Sequence, residues 1–422
     1  MSQQWWIKVA VVAAAALTVG VQVTAASASP ALPDPTATIA RSLSVAAQQF
    51  AAGNVALMGT EAGRSAVATA ISTVPELAVV SGLSARQLAG QRVIFSYSGL
   101  TPPASLLTLI RNGKAGGVLF FASNYASRSQ FARAVRKLKD ANAAATNPAR
   151  GYPLLLMTDQ EGGFVKRLPG GPDQSEKQLG MIAPLSAAKA AARKAGGKTG
   201  NNLHGFGLNV NLAPVLDIYR KPGDFDDQYQ RSYSQSKTVV SEVGAAFIGA
   251  QQNHGVAATA KHFPGLGPAS ARQNTDERPV TLKTPAATLR SKDEFPYRAA
   301  IKAGVKLVMV SWAVYPNLGS KRPAGLSSTI VQGELRDRLG FAGVTITDSI
   351  GAGALSHYGS VSNRALLAAK AGMQLILTTG SPSTGVSVTN GLLAGYRNGR
   401  LAKTAFRDTV IQILQLRASL AG

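Results

Sequence analysis

Short β-branched or apolar runs recur through most of this chain, and stretches with helical spacing fill the intervals between them. Eight runs read as strands: Arg92–Ser96, Gly117–Phe121, Leu154–Thr158, Asn209–Leu216, Ala258–Lys261, Leu307–Ser311, Val344–Thr347 and Gln374–Thr378. The helical stretches between them include Ser129–Ala145, Ser186–Gly205, Val239–His254 and Ser327–Leu339. Ser84 is placed to cap a helix containing Arg86 to Gln91. Strand and helix alternating in this way predict a (β/α)8 barrel of the TIM type, in the α/β class. An open doubly wound sheet is the nearest rival, but it would carry a glycine-rich dinucleotide fingerprint, which this chain lacks. A last helical stretch, Ala402–Leu420, leaves no room for another large domain, so a single barrel domain is expected over residues 83–422.

The N-terminal part breaks this rhythm. Lys8, an alanine-rich apolar run from Val9 to Val23, and the small residues Ala26-Ser27-Ala28 read as a signal peptide over residues 1–28. The run is short for a membrane span, which needs about 20 apolar residues. Secretion or association with the cell envelope is therefore expected, with an uncleaved anchor as the alternative. Residues 29–82 are rich in Ala, Ser, Thr and Pro, and Pro30, Pro33 and Pro35 mark an extended start to this leader.

Composition narrows the function. Hydrophobic residues at 45% against charged residues at 15% describe a globular chain. The 44 Lys and Arg against 21 Asp and Glu give a net charge of +23, a field that suits anionic surroundings such as acidic wall polymers. The basic residues are scattered, with no Lys/Arg run and no nucleic-acid motif, so nucleic acid is not expected as a partner. The absence of cysteine excludes disulfides, thiolate catalysis, cysteine-ligated zinc and a lipid anchor on an N-terminal cysteine. No two histidines have metal-ligand spacing. His204 and His254 precede Gly205 and Gly255 and read as helix C-terminal residues, favourable to the helix dipole.

Polar residues gather where the strands end, which is the catalytic end of such a barrel. The third strand runs into Asp159-Gln160-Glu161-Gly162-Gly163, with Arg167 close behind. The fourth leads to Asp217, and Arg231 follows in its loop; the fifth ends in Lys261-His262, the sixth in Ser311-Trp312 and the seventh in Asp348.

The segments DQEGGFVKR (159–167), NVNLAPVLDI (209–218), QRSYS (230–234), AKHFPGLG (260–267) and GVTITDS (343–349) resemble, in order and spacing, the successive motifs of glycoside hydrolase family 3. The likeness runs from about Leu83 to Ala421 and is nearest to the single-domain bacterial β-N-acetylglucosaminidases. It implies a (β/α)8 barrel, retaining hydrolysis of a β-linked sugar, and no metal or organic cofactor. It makes Asp348 the nucleophile, and Asp159, Arg231, Lys261 and His262 ligands of the sugar hydroxyls. Arg167 also matches a family position, although an ion pair with Glu161 or Asp159 would explain it equally well. A rigid strand-end carboxylate suits nucleophilic attack on an anomeric carbon.

One loop departs from that pattern. Where the N-acetylglucosaminidases carry an Asp-Ser-His triplet, with the histidine as acid/base, this chain reads Arg272-Gln273-Asn274, and none of these shuttles a proton near neutral pH. Trp312 stands where the family usually has histidine. Asp276 or Glu277, on the same loop, is the replacement acid/base, with Asp276 nearer the triplet register. The expected activity is hydrolysis of β-linked N-acetylglucosaminides from cell-wall material. The alternative is a catalytically impaired relative that binds wall glycans or muropeptides without turnover.

Overall fold

The computed structural model describes residues 74–421. The signal peptide and most of the leader lie outside the described residues. The chain divides between Gly82 and Leu83 into two units, and the described part of the first is a helix, Val74–Gly82.

The second unit is built on an eight-stranded parallel sheet. Its strands are β1 (Val93–Ser96), β2 (Gly117–Phe120), β3 (Leu155–Thr158), β4 (Val210–Asn211), β5 (Ala257–Phe263), β6 (Leu307–Val310), β7 (Val344–Thr347) and β8 (Ile376–Leu377). Each pairs with the next in sequence, and β8 returns to β1 through Val93 opposite Ile376. A parallel bridge from Ile346 to Leu375, with Thr347 N donating to Leu375 O at 3.0 Å, joins β7 to β8 and closes the circle. The predicted (β/α)8 barrel is therefore what the chain forms, with every strand within a predicted run or one to two residues beyond it.

The strands are covered on both faces, which is why they read as continuous apolar runs rather than alternating ones. Ile94, Leu119, Leu155, Met157, Met309 and Ile346 meet inside the barrel, each at most 2% exposed. The last helix, Lys403–Ala418, adds Ile413 and Leu416 to the same cluster. Helices start where short polar side chains accept backbone N–H groups. Ser84 Oγ accepts from Gln87 N at 3.3 Å to open Ala85–Gly90, and Ser127 and Ser236 do the same for Arg128–Ala143 and Lys237–Gln252.

Three details differ from the sequence pattern. The β4 run shortens to two paired residues because Pro214 has no N–H for the ladder. The backbone stays attached beyond it, since Val215 bridges to Lys261 and Thr259 N donates to Ala213 O at 2.9 Å. Thr329–Arg338 winds as a wide π-type helix that still buries Ile330, Val331 and Leu335. His254 lies just beyond the end of its helix at Gln252, with Gly255 left-handed at φ 71°.

Replacing Ile346, fully buried on β7, by alanine removes core contacts the closed barrel cannot refill. The loss expected from urea unfolding is about 2–5 kcal/mol.

Candidate active site

The C-terminal ends of the strands open into a cavity of about 580 Å³. Asp159, Arg167, Arg231, Lys261, His262, Asp276 and Asp348 all line it. Glu277 does not. It is exposed, bonded to Asn274 Nδ2 at 3.0 Å and paired with Arg278 at 3.1 Å.

After β3 the chain forms a small antiparallel hairpin, Gln160–Gly162 with Val165–Lys166. Gly162 has φ 108°, and an added Cβ would lie 2.4 Å from Gln174 O, so the turn needs glycine. The buried Gln160 side chain donates to Leu168 O and Gly171 O, and accepts from the backbone of Arg167 and Leu168. This fixes the hairpin that presents Asp159, Glu161 and Arg167. The segment after β5 is held equally tightly: a Cβ on Gly267 would sit 2.2 Å from Ile218 O. The Lys261–His262 and Phe263–Pro264 peptides are both cis.

A buried charge network underlies the cavity. Glu161, 1% exposed, accepts from Arg231 Nε at 2.8 Å and Nη2 at 3.0 Å, and lies 2.7 Å from Lys261 Nζ. Lys261 also donates to Asp159 at 2.9 Å, and Arg231 Nη1 to Asp226 at 3.0 Å. Burial alone would raise the Glu161 carboxyl, but Arg231 and Lys261 together hold it down at about 2. Burial works against the charge of Lys261 too, yet Glu161 and Asp159 leave its pKa above the ordinary value. Arg167 is only loosely attached: its Nε is 3.9 Å from Asp159 and has no hydrogen bond, and its ion-pair partner is Asp159 rather than Glu161.

Beneath this layer Asp217 Oδ2 accepts from His262 N at 3.1 Å and lies 2.7 Å from His262 Nδ1. Burial, with the charges of Arg231 and Lys261, pushes His262 down to about 4, so the ring is neutral near pH 7. With its Nδ1 beside a carboxylate, the ring turns its other nitrogen away from Asp217. Burial pushes Asp217 up to about 6 and Asp226 up to about 7, in the second case despite Arg231. Asp226 is buried beside Asp217, and a hydrogen bond between the two carboxyls requires a proton on one of them.

Asp217, Asp226 and His262 each bring one ligand-type atom within 4.8 Å of the others, the one such group among the described residues. They suit a shared proton better than a divalent cation. Arg231 already lies against Asp226, and N–H donors occupy both oxygens of Asp217.

Asp348 follows β7 directly. Its Oδ1 accepts from Ser349 N at 2.6 Å. Burial and the nearby charge of Asp276 raise its carboxyl above the ordinary range. Asp276 is raised as well, by the surrounding protein and by Asp159 and Glu277. It sits on a loop docked against the segment after β7, with Gly353 N donating to Asp276 O at 2.7 Å and Ala354 N to Thr275 O at 3.0 Å. Trp312 is 1% exposed and does not line the cavity. Its indole N–H donates to Ser349 O at 2.9 Å and braces the residue next to Asp348.

Sequence reasoning therefore found the residues at strand ends and missed those beneath them. Asp226 and Glu176, whose carboxylate accepts from Val215 N at 3.0 Å, carry no motif of their own. Their signal would have been acidic residues in otherwise buried segments. Glu161 and Asp217 were visible within motifs, but not what they bind.

A closed parallel barrel whose C-terminal mouth gathers Asp276 and Asp348 in one cavity with lysine, arginine and histidine is compatible with a barrel glycoside hydrolase. The sequence profile of the glycosyl hydrolase family 3 N-terminal domain matches residues 77–416, and the chain belongs to that family. A secreted glycosyl hydrolase of Arthroderma benhamiae, itself uncharacterized, is 44% identical over 335 residues, covering 78% of this chain and 93% of that one. A beta-hexosaminidase of Xanthomonas oryzae pv. oryzae is 33% identical over 273 residues, 64% of this chain and 77% of that one. Among solved structures, a family 3 beta-N-acetylglucosaminidase from Paenibacillus sp. superposes with a TM-score of 0.74 at 32% identity. That likeness covers 81% of this chain and spans 64% of the length of the Paenibacillus chain. No helix among the described residues is long and apolar enough to cross a membrane.

The buried acids carry a test. Asp226 loses its proton at about 7 when folded but near about 3.9 when unfolded. The stability this contributes is complete below the unfolded value and is lost as pH rises towards 7. Asp226→Asn keeps the acceptor for Arg231 and removes the titration. The melting temperature of the parent minus that of the variant should fall steadily between about pH 4 and 7. A difference that stays flat across that range would show that Asp226 does not hold a proton in the fold.

Proposed function

We propose that this chain is an exported, retaining β-N-acetylhexosaminidase acting on β-linked N-acetylglucosaminides of cell-wall origin. Asp348 is the nucleophile and Asp276 the acid/base. The observation that carries this reading is that the two carboxylates line one cavity, close enough for the charge of Asp276 to raise Asp348. Glu277 points elsewhere, and His262 is held neutral against Asp217, so neither takes the proton-transfer role.

The sugar is clamped by donors the network leaves free. Arg231 has five N–H donors, of which three are spent on Glu161 and Asp226. Lys261 spends two of its three on Asp159 and Glu161. The remainder, with Asp159, Arg167 and His262, meet the hydroxyls. Asp348 attacks the anomeric carbon as the glycosidic C–O bond breaks, and Asp276 passes its proton to the departing oxygen. Asp276, now ionised, takes a proton from water; that water attacks the same carbon and frees Asp348. Two interacting carboxyls that both titrate high suit this sequence, because the active form carries one proton between them.

The relatives named β-hexosaminidase support the sugar. The secreted relative and the N-terminal apolar run support export. The net charge of +23 supports anionic wall material as the setting, through electrostatic association with its polymers.

Dinitrophenolate leaves without protonation, so its release from a dinitrophenyl β-N-acetylglucosaminide isolates attack by Asp348. That release should vanish in Asp348→Asn. Asp276→Asn should slow a natural β-linked disaccharide by about 10²–10⁴-fold and the activated substrate far less. Equal losses on both substrates would remove Asp276 from the acid/base role. In the pH profile of kcat/KM, Asp348 governs the acid limb and Asp276 the alkaline limb. The alkaline limb alone should disappear in Asp276→Asn.

A further inference from the structure

The opposite end of the barrel holds a second cavity, of about 920 Å³. Its wall is built mostly from segments that precede strands, with Arg92, Phe341 and Met373 just before β1, β7 and β8, and is completed by Arg322, Leu326 and Ser328 from the segment after β6. The packed barrel interior, with Ile94, Ile346 and Leu377, lies between it and the catalytic mouth.

The charge of this cavity is one-sided. Among the described residues its lining carries Arg92, Arg322, Arg336, Lys370 and Arg400 against one carboxylate, Asp408. Several buried or partly buried arginines elsewhere in the barrel meet acids: Arg231 has Glu161 and Asp226, Arg220 has Asp293, and Arg338 has Glu294 and Glu334. Arg92, 3% exposed, has no such partner. Its Nε and Nη2 donate to Gln374 O and Met373 O at 3.1 and 2.7 Å, which leaves Nη1 unbonded among the described residues. Arg336 likewise donates to Phe341 O, Gly343 O and Gln374 Oε1, with Nε left over.

Both guanidinium groups lie over aromatic rings of the same wall, Arg92 at 4.4 Å from the Phe406 centroid and Arg336 at 5.0 Å from that of Phe341. The rings and carbonyls fix their planes, so the free N–H groups have set directions. Arg417 shows what a purely structural arginine looks like here. It also lacks an acid, but all three of its nitrogens are bonded, to Pro153 O, Gln91 Oε1 and Tyr152 O, and it lies outside this cavity. Burial lowers Arg92 to about 9 and Arg336 to about 10, as it lowers Arg417 to about 9, so it is the free N–H groups and the cavity that set the first two apart.

We propose that this basal cavity is a binding site for a phosphorylated small molecule carrying at least two negative charges. Planar guanidinium forks match phosphate oxygens in pairs. A single monovalent anion would leave most of the positive charge unmatched. The volume is that of a site for a small organic molecule rather than for an isolated ion. The exposed Arg322, Lys370 and Arg400 form the entrance, and the two ring-stacked arginines form the floor.

The test is calorimetric titration of the full chain with inorganic pyrophosphate at about 0.15 M salt, where exposed charges beyond about 8 Å are screened. Saturable one-site binding is expected. Arg322→Ser with Arg400→Ser should weaken it by about tenfold or more. Arg133→Ser with Arg136→Ser, on the exposed side of the helix Arg128–Ala143, removes the same charge elsewhere and should change it by less than about twofold. Dinitrophenolate release should be unchanged in both double variants, which separates this site from the catalytic one. Absence of saturable heat overturns the proposal, as does equal weakening in the two double variants. Citrate binding as tight as pyrophosphate overturns the assignment to phosphate.

Discussion

The catalytic mouth depends on one buried carboxylate, Glu161. It binds Arg231, from the loop after β4, and Lys261, from the end of β5, while standing on the hairpin after β3. Three separate stretches of chain are joined through a side chain that is 1% exposed. Removing one member of such a group leaves a charge buried without its partner, at a cost of about 3–5 kcal/mol. The network therefore acts as a frame for this end of the barrel. Its members cannot drift apart without exposing that cost.

The frame also sets the protonation of what lies around it. Arg231 and Lys261 keep Glu161 ionised and help keep His262 neutral. The other acids behave differently, even Asp226, which Arg231 touches. Asp217 and Asp226 are raised by burial, and Asp276 and Asp348 by burial and by nearby carboxylates, Asp276 itself in the case of Asp348. Two populations of carboxyl groups thus occupy one end of the barrel, one held ionised by cations, as Glu161 is, and one poised to hold protons. Acid/base chemistry needs the second kind, and precise holding of a sugar needs the first.

The loop carrying Asp276 is docked against the barrel by its backbone. Its backbone is bonded to Gly353 and Ala354, in the segment that follows β7 and Asp348. The two carboxylates proposed for catalysis are therefore held by adjoining pieces of backbone. Trp312, which does not line the cavity, ties its indole N–H to the carbonyl of Ser349 on the same segment. Both the Asp276 loop and Trp312 therefore support the neighbourhood of Asp348.

The order of strands and helices could be read from the sequence because each unit is a local apolar pattern with local caps, such as Ser84 with Gln87. The strand-end residues Asp159, Lys261, His262 and Asp348 were legible for the same reason: their position follows from where a run stops. The choice between Asp276 and Glu277 was not legible. The two are neighbours of the same chemistry, and only the docking of their loop turns one into the cavity and the other towards Arg278. The partners of Glu161 and Arg92 were hidden too, because each contact joins segments far apart in sequence. Sequence by itself determined the repeating architecture and the chemical types at its rim, since both depend on neighbours along the chain. Tertiary structure alone decided which charges meet, which stay unpaired and which carboxyls keep a proton, since those depend on burial and on distances across the barrel.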